Sequence, residues 1–129
     1  MSKENVDATR RFTEAVNRGD YQTAAAELDL ELEIDDTDIP ESTGTDSFNA
    51  WLARWDQAWE DWRIEDLQIR PVGADRTISL FKMIVRGKGS GIELTREDAV
   101  LANFRNGKIV RIAYYNDRAK ALEDAGPEE

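Results

Sequence analysis

Acid–base chemistry in this chain can use only carboxylates, tyrosine, lysine or arginine. The 129 residues include no histidine and no cysteine, which removes the commonest general base, the commonest metal ligand and every thiolate. The neighbours Asp35 and Asp36 end an alternating run, so they point to opposite faces of a strand and do not form a metal cluster. Lys82 and Arg86 share a strand face and could meet an anionic group, but an edge position suits Lys82 equally well.

A single predicted helix carries the side chains best suited to wall a binding site. Residues 46–62 hold all four tryptophans, and their large apolar side chains recur every three or four residues, which predicts one apolar stripe. Indoles are large and pack with gaps, so a pocket beside the stripe is one interpretation and a filled core is the other. The stripe consists of Phe48, Trp51, Leu52, Trp55, Trp59 and Trp62.

Periodicity and turn residues predict the elements that position these groups. In chain order they are helices over 2–18 and 20–29, a strand over 30–36, a surface loop over 37–44, the aromatic helix over 46–62, strands over 63–70, 77–86, 92–104 and 108–115, and a closing helix over 117–124. A bulge is expected near Glu65 and Asp66, and a tight hairpin at Asn106 and Gly107. This order predicts one α+β domain over residues 1–129, with helices covering one face of a strongly curved antiparallel sheet.

Charge and hydropathy exclude several classes of partner. The net charge of −10 argues against binding nucleic acid or anionic membrane by electrostatics. The sequence shows neither the apolar core of a signal peptide nor a run long enough to span a bilayer. We therefore expect a cytoplasmic protein.

The sequence resembles the SnoaL-like branch of the nuclear transport factor two-like superfamily. The resemblance rests on FTEAVNRGD at 12–20, LELEIDD at 30–36, the aromatic helix beyond Gly44, RNGKIVRI at 105–112 and YYNDRAKALEDAG at 114–126. It implies a cone-shaped fold with helices on the concave face of the sheet around an apolar pocket, and a homodimer formed through the outer face. The superfamily includes polyketide cyclases, ketosteroid isomerase, epoxide hydrolases and proteins that only bind or scaffold, so the fold does not decide the function.

Strand alternation places candidate side chains in that pocket. Because Arg111 should face water, Val110, Ile112, Tyr114 and Asn116 should face the concave side. Tyr114 is then the best candidate hydroxyl, although a core tyrosine with a satisfied hydroxyl fits the pattern equally well. The expected pocket lining is Phe12, Trp51, Trp55, Trp59, Val100, Ala102, Ile112 and Asn116.

The resemblance to ketosteroid isomerase implies a role for Asp36. Aligned without gaps from Phe12, this residue falls where the isomerase keeps its carboxylate base, although it could instead satisfy backbone amides in a loop. The isomerase's two oxyanion donors correspond to Phe12 and Val100, so steroid isomerisation by that route is not expected. Asp98 shares the face of Val100 and could supply a proton, or could lie at the solvated rim.

Two functions from different classes follow. One is a cofactor-independent enzyme acting on a small hydrophobic molecule, with Asp36 as the base and Tyr114 or Asp98 as the proton donor. An epoxide-hydrolase arrangement of Asp36, Arg54 or Arg86, and Asp98 belongs to this class. The other is a ligand-binding or interaction module without turnover. A buried Asp36 facing the indoles favours the enzyme, whereas a pocket filled by aromatic rings favours the module.

Overall fold

The computed structural model describes residues 2–36, 39–43 and 45–126, with side chains described outside 37–47. This part of the chain forms four helices and six strands. In chain order they are α1 (Ser2–Asn17), α2 (Tyr21–Ala25), β1 (Leu28–Asp36), β2 (Ile39–Thr43), α3 (Thr45–Ala58), β3 (Trp59–Val72), β4 (Arg76–Gly87), β5 (Glu93–Arg105), β6 (Lys108–Tyr115) and α4 (Arg118–Ala125).

The six strands form one curved sheet in the order β2-β1-β6-β5-β4-β3. The predicted α+β class is confirmed, and so is the antiparallel succession from β3 to β6. The first strand, β1, pairs in parallel with the last, β6, so that Asp36 lies beside Tyr114. Local sequence patterns do not predict this pairing, because it joins segments more than seventy residues apart.

Two turn predictions are confirmed by the backbone. The register of β3 against β4 shifts between Glu65 and Gln68, and Asp66 has a φ of 55°. The hairpin between β5 and β6 places Asn106 at a φ of 53° and Gly107 at 79°. Both hairpin residues are types that tolerate the left-handed region, as a two-residue turn of this twist requires.

The aromatic helix is shorter than predicted, so two of the four tryptophans belong to a strand and not to the helix. Helix α3 ends at Ala58, and β3 begins at Trp59. The prediction that Trp59 and Trp62 continue the helix is therefore wrong. Both residues are paired with β4, opposite Gly87 and Val85. Aromatic and β-branched residues suit a strand. Residues 59–62 have helical apolar spacing, but pairing with β4 is more favourable for them than continuing the helix.

The predicted loop over 37–44 contains a strand. Residues 39–43 form β2, which pairs antiparallel with β1 at the edge of the sheet. Pro40 argued against a strand because it has no N–H to donate, but an edge strand tolerates proline. Residues 37, 38 and 44 lie outside the described part of the chain, as does the side chain of Thr45, the expected cap of α3.

Helices α1 and α3 pack on the concave face and build the main core. Phe12 of α1 meets Phe48 of α3 with ring centroids 5.6 Å apart. The side-chain amide of Asn17 ties the end of α1 to the bulged strand β3. Its Nδ2 donates to the carbonyl of Ile64 at 3.0 Å, and its Oδ1 accepts from the Ile64 N–H at 2.7 Å. The open end of the cone is thereby held against the helices.

Helix α4 lies on the outer face, whereas α1 and α3 pack on the concave face as expected. Its buried residues Ala121 and Ala125 join a second core with Leu101, Ala113 and Tyr115. Asp117 caps the helix, since its Oδ1 accepts from the Ala119 N–H at 3.0 Å. Alanine side chains allow the close approach to the sheet. In the described residues, no helix combines the length and apolarity that crossing a membrane requires.

The packing of α4 predicts different outcomes for two alanines of the same helix. Ala121 is 0 % exposed against the sheet, whereas Ala119 faces solvent. Ala121→Leu should lower the free energy of unfolding by about 1–3 kcal/mol through overpacking. Ala119→Leu should change it by no more than about 0.5 kcal/mol. Urea denaturation measures both, and equal effects would contradict this position of α4.

Candidate functional site

A small cavity lies between the concave face and helices α1 and α3. Its volume is about 50 Å³, well below the roughly 300–1,000 Å³ of pockets that hold whole drug-sized ligands. We call it the inner cavity. Its walls are almost entirely apolar and are formed by Thr9, Phe12, Thr13, Val16, Trp51, Leu52, Trp55, Trp62, Ile64, Ser79, Phe81, Met83, Val100, Ala102, Ile109, Ile112 and Tyr114.

Most of the residues expected to line a pocket lie on this wall. They are Phe12, Trp51, Trp55, Val100, Ala102 and Ile112. Asn116 does not, because β6 ends at Tyr115 and the asparagine is exposed beyond it. Val110 does not face the concave side either. The pairing of β5 with β6 skips it, so Ile109 takes the inward position and Val110 is half-exposed.

A larger cleft opens beside the inner cavity at the C-terminal half of α3. This outer cleft has a volume of about 450 Å³ and is lined by Asp36, Arg54, Trp55, Gln57, Ala58, Trp59 and Arg96. Trp59, expected in the apolar pocket, lies here because it belongs to β3. The indole of Trp55 borders both spaces. Charged side chains therefore line the outer cleft, while the inner cavity has an almost entirely apolar wall.

Asp36 is buried beside the indoles at the end of β1. Alternation along β1 turns Leu32, Ile34 and Asp36 inward, and Asp36 is only 5 % exposed. The indole Nε1 of Trp51 donates to Asp36 Oδ2 at 2.8 Å. This bond orients the carboxylate in the wall of the outer cleft. Its neighbour Asp35 points the other way and forms an ion pair with Arg111 at 2.9 Å, so the two carboxylates are separated as predicted.

Asp98 lies inside the protein and not at the solvated rim. It is 0 % exposed, and its Oδ2 accepts from the Tyr114 hydroxyl at 2.5 Å and from Arg96 Nη2 at 2.7 Å. These charge-assisted bonds offset the cost of burying a carboxylate. Oδ1 of Asp98 has no hydrogen-bond partner within the described residues.

The Tyr114 phenol is held in its neutral form. Burial raises the pKa of Tyr114 well above its ordinary value of 10, the Asp98 carboxylate adds to this rise, and the Arg96 guanidinium opposes it. The neutral form is the one that can donate to Asp98. The hydroxyl proton is therefore directed at Asp98, and the ring lies against Trp55 with centroids 5.3 Å apart.

Arg96 is the residue that the sequence analysis missed. Its guanidinium is bonded to Asp98 and lies over the Trp55 ring, with Cζ 5.6 Å from the ring centroid. It also lines the outer cleft together with Asp36. The available signal was its spacing of two residues from Asp98, which puts both side chains on one face of a strand.

The other basic candidates have different positions. Arg54 is exposed on α3 at the cleft. Arg86 pairs with Glu60 at 3.0 Å and with Asp61 at 3.7 Å on the exposed side of β3 and β4. Lys82 is exposed and pairs with Asp66 at 3.3 Å. Within the described residues, no group of three or more acidic side chains is arranged to hold a metal ion.

The chain belongs to the SnoaL-like domain family. The family model matches residues 9–112, from the middle of α1 to the middle of β6, and so covers most of the chain. The expected family is therefore confirmed. No protein from a search of the curated proteins matches the chain significantly.

Solved structures with the same fold share little sequence with this chain. A proposed polyketide cyclase from Xanthomonas campestris superposes with a TM-score of 0.82 at 17 % identity, covering 97 % of this chain and 98 % of that one. An NTF2-like protein of unknown function from Burkholderia pseudomallei gives 0.81 at 19 %, covering 93 % and 95 %. A protein of ketosteroid isomerase-like fold from Catenulispora acidiphila, in complex with trimethylamine, gives 0.73 at 16 %, covering 84 % and 83 %. At these identities the similarity establishes the fold alone.

The hydrogen bond to Asp98 predicts a stability effect for Tyr114. Tyr114→Phe leaves the buried carboxylate with one donor fewer, so the free energy of unfolding at neutral pH should fall by about 1–3 kcal/mol. Tyr115→Phe is the matched control, because its hydroxyl bonds to Asp124, which is partly exposed, and its loss should cost less. Urea denaturation of both variants tests this. A Tyr114→Phe protein as stable as the parent would show that the phenol does not support Asp98.

Proposed function

We propose that this protein is a cofactor-independent enzyme that transfers protons on a small, mostly apolar cyclic molecule bound in the outer cleft. The observation that carries the proposal is that Asp36 and Arg96 line the same cleft. A carboxylate that removes a proton next to a carbonyl needs a positive or hydrogen-bonding group where the negative oxygen develops. Arg96 supplies this group. Phe12 and Val100, which correspond to the two oxyanion donors of ketosteroid isomerase, have apolar side chains and cannot supply it.

Asp36 is the proton acceptor in this proposal. The bond from Trp51 Nε1 orients its carboxylate, and burial to 5 % exposure limits competition from bulk water. In the reaction, a C–H bond next to the ligand's carbonyl breaks, its proton goes to Asp36, and its electron pair forms the enolate. Return of the same proton to another carbon of a conjugated enolate completes an isomerisation. In a cyclisation the enolate attacks a second carbonyl, and the alkoxide that forms takes the proton back from Asp36.

Arg96 stabilises the enolate oxygen. Arginine keeps its positive charge at all accessible pH values. The bond to Asp98 and the stacking on Trp55 hold the guanidinium in place before any ligand arrives, and such preorganisation makes a charge effective in catalysis. Asp98 and Tyr114 then act as positioning residues, because the Tyr114 proton is already given to Asp98. This differs from the proton-donor role expected of them.

The cleft itself suits a flat ring. Its volume of about 450 Å³ falls within the range of small-molecule sites, and Trp55 and Trp59 offer aromatic faces against which a ring can stack. The family resemblance to proteins that act on hydrophobic molecules supports the same class of ligand.

A second candidate reaction is the hydrolysis of a small cyclic epoxide. Asp36, Arg96 and Asp98 form an Asp–Arg–Asp set, with Arg96 in the place considered for Arg54 or Arg86, and the Arg96–Asp98 bond of 2.7 Å favours it. Asp36 would then deprotonate a water, whose oxygen attacks an epoxide carbon. The bond from that carbon to the ring oxygen breaks, and the alkoxide that forms takes the proton from Asp36 to give the diol. The small volume of the inner cavity favours the third possibility, a module that binds a ligand without turnover.

We also propose a homodimer through the part of the outer face that α4 leaves uncovered. Ala113 and Tyr115 of β6, which face away from the pocket and would lie in a dimer interface on the outer face, are already buried under α4. Leu30 instead is 81 % exposed in an outer-face depression that also contains Val110, Arg105 and Arg111. Burial of an exposed leucine in a symmetric contact would stabilise a dimer.

The two adjacent aspartates allow a controlled test of catalysis. Parent protein is incubated in D₂O with cyclic ketones of one to three rings, and deuterium uptake next to the carbonyl is followed by NMR. Asp36→Asn should reduce the enzyme-dependent rate by roughly 10²–10⁴-fold, and Arg96→Met should reduce it too. Asp35→Asn, which loses only its surface ion pair with Arg111, should retain the rate.

Cyclohexene oxide, with diol formation as the readout, tests the second reaction on the same three variants. Tryptophan fluorescence titration shows whether each compound binds. Binding of ring compounds by the parent without exchange or diol formation would favour the non-catalytic module. Equal rates for Asp35→Asn and Asp36→Asn would remove Asp36 as the base.

The proposed dimer predicts a mass change on one substitution. The parent should scatter light as a dimer at micromolar concentration, and Leu30→Asp should scatter as a monomer, because a charge replaces the apolar contact. Ile92→Asp is the control, since Ile92 is 61 % exposed in the turn between β4 and β5. A monomeric parent would overturn the proposal.

A further inference from the structure

One hydroxyl on the wall of the inner cavity lacks a hydrogen-bond partner. Ser79 of β4 is 2 % exposed, and its Oγ has no partner among the residues that the structure describes. The other side-chain hydroxyls of this wall are engaged. Thr9 Oγ1 bonds to the carbonyl of Asn5 at 2.8 Å, Thr13 Oγ1 bonds to the carbonyl of Thr9 at 2.8 Å, and Tyr114 donates to Asp98.

An unpaired hydroxyl costs free energy in an apolar wall. Burying a polar group without a hydrogen bond is unfavourable, and buried polar side chains normally have a partner. The residues across the strands from Ser79 are Val100 and Ile69, so an apolar side chain would suit this position. The hydroxyl therefore points to an occupant of the cavity that can hydrogen-bond with it.

The size of the cavity limits the occupant. Its volume of about 50 Å³ is sufficient for water or one short polar group, but it is well below the roughly 150 Å³ of an apolar cavity that binds benzene. A water held there would need two or more polar partners, and Ser79 Oγ is the one side-chain hydroxyl of the described wall that has no partner within the protein. One short group of a ligand whose ring lies elsewhere fits these limits.

The sheet places Ser79 in line with the residues of the outer cleft. Tyr114 pairs with Asp36 on one side and with Val100 on the other, and Val100 pairs with Ser79. Asp36 and Ser79 are thus three strands apart on one face, roughly 14 Å between Cα atoms along the sheet and less across its concave side. A molecule of two fused rings with a polar atom at each end has a matching span when both side chains reach toward it.

We propose that the inner cavity is a subsite for a hydroxyl or carbonyl group at the far end of the ligand, with Ser79 Oγ as its hydrogen-bonding partner. The ligand class is a fused-ring ketone that carries a second oxygen opposite its reacting carbonyl. Trp55 borders both spaces, so a ligand that reaches both would contact its indole. The inference rests on the proposed function, because it takes the outer cleft as the place where the reacting carbonyl binds.

A pair of probes isolates the second oxygen. Indan-1-one and 5-hydroxyindan-1-one share the ketone and the rings and differ by one hydroxyl at the opposite end. In the parent, tryptophan fluorescence titration should give the hydroxylated probe a dissociation constant roughly 2- to 10-fold lower, which corresponds to one net hydrogen bond. Ser79→Ala should abolish this preference, and Ser79→Thr, which keeps the hydroxyl, should retain it. Ser90→Ala is the control, because Ser90 lies in an exposed turn.

Equal affinities of the two probes in the parent would overturn the subsite, and so would a preference that persists in Ser79→Ala. Failure of both probes to bind the parent would overturn it as well. The stability of the ligand-free protein adds a second readout. Ser79→Ala should be at least as stable as the parent, since it loses an unpaired buried hydroxyl. A less stable variant without the probe preference would assign Ser79 to a structural water.

The test separates this inference from the proposed catalysis. Loss of deuterium exchange in every variant, with the probe preference intact, would leave a binding site with its Ser79 subsite and no enzyme. Deuterium exchange that depends on Asp36, without any probe preference, would leave the enzyme and remove the subsite.

Discussion

Burial of the Asp98 carboxylate is the constraint on which the candidate site depends. A carboxylate with no exposed surface is costly unless donors surround it. Arg96 and Tyr114 provide those donors at 2.7 and 2.5 Å, one from the same strand and one from the neighbouring strand β6. The bond to Asp98 also fixes the position of the Arg96 guanidinium, which lies over the Trp55 ring at the outer cleft. The position of Arg96 in the wall of the outer cleft is thus a consequence of core electrostatics.

The tryptophans divide the space above the sheet into two parts. Trp51 and Trp55 come from α3, while Trp62 comes from the sheet and meets Trp55 with ring centroids 5.8 Å apart. The indoles of α3 and β3 together narrow the inner cavity to about 50 Å³. The charged side chains line the outer cleft. The indole of Trp55 borders both spaces and forms part of the wall between them. The family fold thus accommodates an aromatic interior that is nearly full and a cleft where chemistry is feasible.

The parallel pairing of β1 with β6 brings the acidic candidates together. Asp36 and Asp98 lie on opposite sides of Tyr114, on strands β1 and β5 that flank β6. Alternation along β1 decides which of two adjacent aspartates enters the site, so Asp35 pairs with Arg111 in solvent while Asp36 meets the indole of Trp51. Two carboxylates of the same type and almost the same position in the chain therefore have unrelated environments. The difference is purely one of strand geometry.

The sequence by itself determined what depends on neighbours along the chain. Period-two alternation predicts the antiparallel strands from β3 to β6, the bulge near Asp66 and the inward side of Asp36. The ability of Asn106 and Gly107 to adopt a positive φ predicts the hairpin. Only the tertiary structure decided the end of α3 at Ala58, the strand at 39–43, the position of α4 on the outer face and the partnership of Arg96 with Asp98. Each of these depends on contacts between distant segments: ladder bonds to β4, an edge of β1 left open for pairing, an apolar outer face to be covered, and a buried charge that needs a donor. Local periodicity carries no information about these distant partners. The free energies of the contacts with them exceed the small differences in secondary-structure propensity on which a sequence-based prediction rests.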